Sequence, residues 1–248
     1  MERLAYGATD IGSKRDNNED FFALSPEKDI YIVADGMGGH NAGEVASQNA
    51  VRMVDEFFTP ETLTGMREEQ MKIQEALVNS VVAAHESVMD ESRSNEKYSG
   101  MGCTIVVAFI HDQILYTCHV GDSRAYIINP SAVTQITNDH SKVGDLVRAG
   151  QMTSEEARHS PLKNRITQAI GGSLGIVPEL NQRPLSKDDY LLFCTDGLWD
   201  MLSDEEIRHL VMKGGTTEEI CTRLIEKANE AGGKDNITVV VVKTSGHL

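Results

Sequence analysis

Between residues 104 and 136, four apolar runs follow one another with very little chain between them: 104–110, 114–120, 124–128 and 133–136. Connections such as His111-Asp112-Gln113 and Asn129-Pro130-Ser131 are of hairpin length. A parallel neighbour needs a crossover of about a dozen residues. These strands can therefore only be antiparallel neighbours. Further strands are expected at 4–9, 20–24, 30–34, 190–194 and 236–242. Elsewhere the apolar period lengthens. Val45, Val51, Val54 and Phe58 recur at helical spacing, and so do Ile73, Leu77, Val81, Ala84 and Val88. This predicts two amphipathic antiparallel helices joined by a polar connection over 60–67. Short helices are expected over 142–149, 154–158 and 162–170, with two more inside 204–230. Strands group with strands and helices come in pairs. The expected class is α+β: a central β-sandwich of two antiparallel sheets, flanked by pairs of antiparallel helices, in one domain over residues 1–248.

A hydrophobic share of 40% across 248 residues can supply such a core. No apolar stretch is long enough to span a bilayer. The opening Met1-Glu2-Arg3-Leu4 lacks the apolar block of a secretory signal, so a cytoplasmic location is expected. The net charge of −15 argues against nucleic acid or an anionic membrane as a partner. Cys103, Cys118, Cys194 and Cys221 are scattered without a Cys-x-x-Cys pair, as in a reduced chain without disulfides.

Acidic residues recur where apolar runs break. Asp35 ends the run 30–34 and opens Gly36-Met37-Gly38-Gly39-His40. Asp196 ends 190–195, Asp122 ends 114–121 and Asp235 precedes the last strand, while Glu19 and Asp20 adjoin Arg15. Taken singly, each acid is better explained as turn chemistry or solvated surface than as a ligand. Together, carboxylates at strand ends can converge in one cleft. An all-oxygen set with no zinc-like His/Cys spacing suits Mg²⁺ or Mn²⁺. Gly36 lets backbone approach a cation closely. Two cations would activate a shared water for in-line displacement at phosphorus, and Arg15 could hold phosphoryl oxygens as a bidentate fork.

The motifs in order are Arg15-Asp16-Asn17-Asn18-Glu19-Asp20, Val33-Ala34-Asp35-Gly36-Met37-Gly38-Gly39-His40, Ala42-Gly43-Glu44, Gly100-Met101-Gly102-Cys103-Thr104 and His119-Val120-Gly121-Asp122-Ser123-Arg124. Asp139-His140-Ser141, Asn164-Arg165-Ile166-Thr167, Cys194-Thr195-Asp196-Gly197-Leu198-Trp199-Asp200 and Asp235-Asn236-Ile237-Thr238 follow. In this order, across nearly the whole chain, they resemble the metal-dependent Ser/Thr protein phosphatases of the type 2C family in its short bacterial form. The resemblance implies hydrolysis of phosphoserine and phosphothreonine in proteins by direct attack of a metal-bridging hydroxide. It implies Mn²⁺ or Mg²⁺, two in the catalytic centre and a third beside them. Asp35 and the Gly36 carbonyl, with Asp196 and Asp235, would hold the pair; Glu19 and Asp20 would act through water. Asp122 with Asp196 would hold the third ion, and Arg15 would bind phosphate. The implied partners are phosphorylated proteins and a cognate eukaryotic-like Ser/Thr kinase, met by a monomer. Met37 stands where animal members carry a candidate acid histidine; His40 either serves instead or caps the next helix. Residues 145–164 correspond to the family's flap, with Asp145, Gly150 and Asn164 as candidate substrate contacts.

Two other functions compete. Gly171-Gly172-Ser173-Leu174-Gly175 fits the serine-hydrolase elbow, but that motif needs a strand before it and a helix after it, and Pro178 opposes the helix. A non-catalytic phosphopeptide-binding module on the same fold would be expected to lose metal carboxylates, and this chain keeps them.

Overall fold

The computed structural model describes residues 3–38, 42–67, 69–173, 175–187 and 189–244. Its strands form two wholly antiparallel sheets. One contains β1 (Arg3–Asp10), β7 (Arg124–Ile128), β8 (Val133–Gln135), β10 (Tyr190–Cys194) and β11 (Ile237–Thr244), in the order β1-β11-β10-β7-β8. The other contains β2 (Asp20–Ser25), β3 (Ile30–Met37), β5 (Ile105–His111), β6 (Ile114–Val120) and β9 (Glu179–Pro184), in the order β2-β3-β5-β6-β9. A short β4 (Gly102–Cys103) extends β3 at its end. The β5–β6 link is the tight hairpin its length demands. His111 pairs with Ile114, and the two turn residues Asp112 and Gln113 both adopt positive φ, 46° and 60°.

Strand alternation sorts the side chains into layers. On β5, Val106, Ala108 and Ile110 face the other sheet, while Ile105, Val107 and Phe109 face outward. Between the sheets Tyr31 stacks on Phe193, both fully buried, with ring centroids 6.1 Å apart. The outward face of the second sheet is covered by α1 (Ala42–Phe57) and α3 (Gln70–Ser94). That of the first sheet is covered by α7 (Asp204–Met212) and α8 (Thr217–Glu230). Both α7 and α8 begin with capping boxes, Ser203 with Glu206 and Thr216 with Glu219. The result is the α-β-β-α sandwich expected. All four cysteines are buried and free.

Three segments differ from the sequence reading. Residues 60–66, expected as connection, form a short helix α2 (Pro60–Met66), because Thr59 caps it and Pro60 opens it. Residues 162–170, expected as helix, instead spend their backbone groups on neighbours. Ile170 exchanges both bonds with Cys103 (3.1 and 2.8 Å), and Thr167 N–H donates to His140 O at 2.7 Å. Strand β9 carries no alternating apolar pattern: in Glu-Leu-Asn-Gln-Arg-Pro only Leu180 packs on the core, as an edge strand allows.

Register then decides what gathers at one end of the sandwich. Asp20 pairs with Asp35 across β2 and β3, and Thr104 N–H donates to Asp35 O at 2.8 Å. The chain leaves β6 at Val120, opposite Ile105, and β10 at Cys194, opposite Val239. Asp122, Asp196 and Asp235 therefore emerge beside Asp35.

Phe193→Ala should destabilise the protein by about 3–5 kcal/mol, read as a lower urea midpoint at unchanged slope.

Candidate metal centre

Asp20 and Asp122 are buried, 5% and 3% exposed. Asp35 and Asp196 are half-buried. Burial, followed by mutual repulsion, pushes the carboxyls of Asp20, Asp35 and Asp122 well above the ordinary range. Asp196 is pushed up to about 7, chiefly by burial and then by Asp235. Glu19 is raised more modestly, again by burial first. Arg15 lies at the rim, its side chain half exposed, and its Nη2 donates to Asp235 Oδ2 at 2.6 Å. That bond holds the guanidinium proton more firmly than usual.

Each acid is fixed by its neighbours. Thr195 Oγ1 donates to Asp20 Oδ2 at 2.7 Å and accepts from Thr238 N–H at 3.0 Å. Asp35 N–H donates to Thr104 Oγ1 at 3.1 Å, and that hydroxyl lies 2.6 Å from Ser123 Oγ, beside Asp122. Gly36 is confined: a Cβ there would lie 2.1 Å from Gly43 O and 2.4 Å from Glu19 O. Asp196 opens a one-turn helix, α6 (Asp196–Trp199), whose Gly197 packs so closely on β11 that a Cβ would meet Asn236 O at 2.0 Å. Trp199, from that helix, donates from Nε1 to Asp122 O at 3.1 Å.

Sequence reasoning passed over one residue here. Asn236 accepts Glu19 N–H at 2.8 Å and donates from Nδ2 to Ile11 O (2.9 Å) and Asn17 O (2.8 Å). It thereby anchors the segment that carries Arg15 and Glu19. The available signals were its place directly after Asp235, at the head of a buried strand, and its membership of the motif Asp235-Asn236-Ile237-Thr238.

Arg15, Asn164, Asp196 and Asp235 line a common cleft of about 260 Å³ together with Lys163, Asp200 and Lys234. Of the flap candidates Asn164 lines it, while Asp145 and Gly150 do not. Asp145 lies on α4 (Lys142–Arg148), paired with Arg148, and Gly150 follows that helix with φ 68°. Ser141 caps α4 as its sequence suggests. The helix after it, α5 (Ser154–His159), leads to Lys163, which pairs with Asp200 beyond α6. His40 lies outside the described residues.

The arrangement has the character of a cation site. Its donors are all oxygens, which favours hard divalent ions over zinc. Asp196 Oδ1 is buried without a hydrogen-bond partner. Asp35 is crowded by the charges of Asp20, Asp196, Asp122 and Asp235, and so many ionised carboxylates cannot share one poorly solvated place without protons or cations among them. Asp35, Asp196 and Asp235, with Gly36 and Asp122 beside them, could hold such ions.

Comparison with known proteins agrees. Residues 9–238 match the family model described as Protein phosphatase 2C. The protein phosphatase PhpP of Streptococcus pneumoniae is 39% identical over 238 residues, 94% of each chain. The crystal structure of serine/threonine phosphatase Stp1 from Staphylococcus aureus superposes with TM-score 0.90 at 37% identity, covering 98% of this chain and 96% of that one. The catalytic domain of the phosphatase PstP, in complex with two manganese ions, superposes with TM-score 0.82 at 32% identity, covering 98% and 100%.

A carboxyl that binds its proton more tightly when folded favours folding at low pH and loses that contribution as pH rises past its unfolded value. In chelator, Tm should therefore fall as pH climbs from about 4 toward 7, the window set by Asp196. Mn²⁺ at about 100 times its Kd should restore about 2.7 kcal/mol, and more at neutral than at acid pH because binding needs ionised carboxylates. Calorimetry should show Asp196→Asn losing much of both effects.

Proposed function

The chain belongs to the protein phosphatase 2C family, and we propose that it hydrolyses phosphoserine and phosphothreonine in proteins at this carboxylate cluster, residues 1–248 acting as one catalytic domain. The observation that carries the reading is the buried Oδ1 of Asp196, left without a hydrogen-bond partner inside a cluster of mutually repelling carboxylates. It calls for a cation at the place where phosphoryl transfer would need one.

In this reading Asp35, Gly36, Asp196 and Asp235 hold two Mn²⁺ or Mg²⁺ ions, Glu19 and Asp20 act through intervening water, and Asp122 with Asp196 holds a third. Bound there, divalent cations lower the pKa of water enough for direct attack on phosphorus, without a phosphoenzyme, and offset charge on the phosphoryl oxygens. Arg15 stands at the cleft with its guanidinium half exposed and already oriented by Asp235. Its remaining donors would take two phosphoryl oxygens as a fork. As the phosphorus–oxygen bond to the substrate breaks, the departing side-chain oxygen needs a proton, for which His40 is the candidate donor. Asn164 borders the cleft, and the segment 145–164, including Asp145 and Gly150, is the surface that meets the rest of a protein substrate. The proposed setting is a cytoplasmic monomer opposing a eukaryotic-like Ser/Thr kinase. No helix of the described residues is long and apolar enough to cross a membrane.

Phosphate release from a phosphothreonine peptide tests this. Release should need Mn²⁺ or Mg²⁺, stop in EDTA, and fall by more than about 100-fold in Asp196→Asn. Arg15→Ala should lower kcat/KM about 10- to 100-fold. Folded protein that releases no phosphate with any divalent metal would point to a binding module instead, and metal-independent release surviving Asp196→Asn would overturn the site.

A further inference from the structure

Asp122 leaves β6 directly after Gly121, and that glycine cannot be exchanged for a stiffer residue. Its φ is 105°, and a Cβ would lie 2.5 Å from the Thr104 side chain. A turn so permissive in backbone conformation must be held from outside if Asp122 is to keep its aim. One residue grips it twice. His140 N–H donates to Gly121 O at 2.9 Å, and Gly121 N–H donates to His140 Nδ1 at 3.2 Å. From the other side, the Trp199 indole holds Asp122 O.

The His140 ring is itself locked. Because Nδ1 accepts, the ring hydrogen must sit on Nε2, which faces Glu179 Oε2 at 3.5 Å. Glu179 is fixed in turn by Asn138 and Asn181, whose side-chain amides donate to its Oε1 at 2.6 and 3.2 Å. The ring also stacks on His119, with centroids 4.6 Å apart and planes 21° apart, and His119 Nε2 bonds Asn138 O at 2.8 Å.

Donor atoms of His119, His140 and Glu179 lie within 4.8 Å of one another, which raises the question of a separate ion site. Stacking answers it. Imidazole lone pairs lie in the ring plane, so two nearly parallel rings cannot aim at one ion. Both nitrogens of His140 are also already engaged, and only His119 Nδ1 is left without a partner. The trio is a support.

We propose that His140 is a positioning residue for the third cation, acting through the Gly121 N–H···Nδ1 bond, with Glu179 and His119 holding its ring. The proposal rests on the reading of Asp122 as a ligand of that cation.

Mn²⁺ binding measured by calorimetry without substrate tests it, using wild type, Asp122→Asn, His140→Asn, His140→Gln and Glu179→Gln. Asparagine can place an acceptor near the Nδ1 position, whereas glutamine reaches the Nε2 position instead. His140→Gln should weaken the weakest Mn²⁺ site about tenfold and leave the tighter sites unchanged. His140→Asn should bind close to wild type, and Asp122→Asn should lose the weakest site. In parallel, half-saturating Mn²⁺ for phosphate release should rise in His140→Gln while kcat at saturating Mn²⁺ is retained. If the two His140 variants lose thermal stability equally and bind Mn²⁺ as wild type does, the histidine is only packing and the proposal fails. If Asp122→Asn binds as wild type, the ligand reading falls and the proposal with it, though metal-dependent release would still stand. Should His140→Gln fail to fold, Glu179→Gln carries the test. A smaller weakening of the same site supports the proposal, and an unchanged one overturns it.

Discussion

Like charges confined at one end of a sandwich govern this structure. Asp20, Asp35, Asp122 and Asp196 repel one another in a poorly solvated cluster, and without cations each holds its proton unusually tightly. A fold can keep such a cluster only if something else over-determines the position of every member. Here that is the two-sheet core, with Tyr31 against Phe193 at its centre and fully buried Val/Ile strands around it. The sheets hold themselves together well away from the acids, so the end of the sandwich can be shaped for chemistry.

What fixes the acids is largely a set of side chain-to-backbone bonds. Thr104 ties the Asp35 backbone to the strand that pairs with β6, and Thr195 ties Asp20 to β11. Asn236 gathers three backbone groups of the segment carrying Arg15 and Glu19. Glycines allow the close approaches these bonds need, most plainly Gly36 against Gly43 and Glu19. The same logic extends outward. Lys163, past the end of α5, pairs with Asp200 just past α6, so the segment beside the cleft is linked to the helix that presents Asp196.

How much of this was readable from sequence follows from what kind of signal each part leaves. Hairpin-length links such as 111–113 announce antiparallel strands because no other connection fits, and acids recurring at the borders of apolar runs point to a cation site because turn chemistry alone would not repeat so often. Segment 162–170 shows helical apolar spacing, yet its backbone bonds to Cys103 and His140, which local periodicity cannot reveal. Strand β9 is an edge that commits a single side chain, Leu180, to the core, too little to impose alternation. Asn236 and His140 carry their significance in which distant backbone atoms they reach, and a single sequence records none of those distances.

The central claim is that the carboxylate cluster of Asp35, Asp196 and Asp235 is a cation site. A crystal structure grown with Mn²⁺, with anomalous data collected at the manganese edge, tests it most directly. Strong peaks within coordination distance of Asp35 and Asp196 are the predicted result. A peak-free cleft at saturating Mn²⁺ would contradict it.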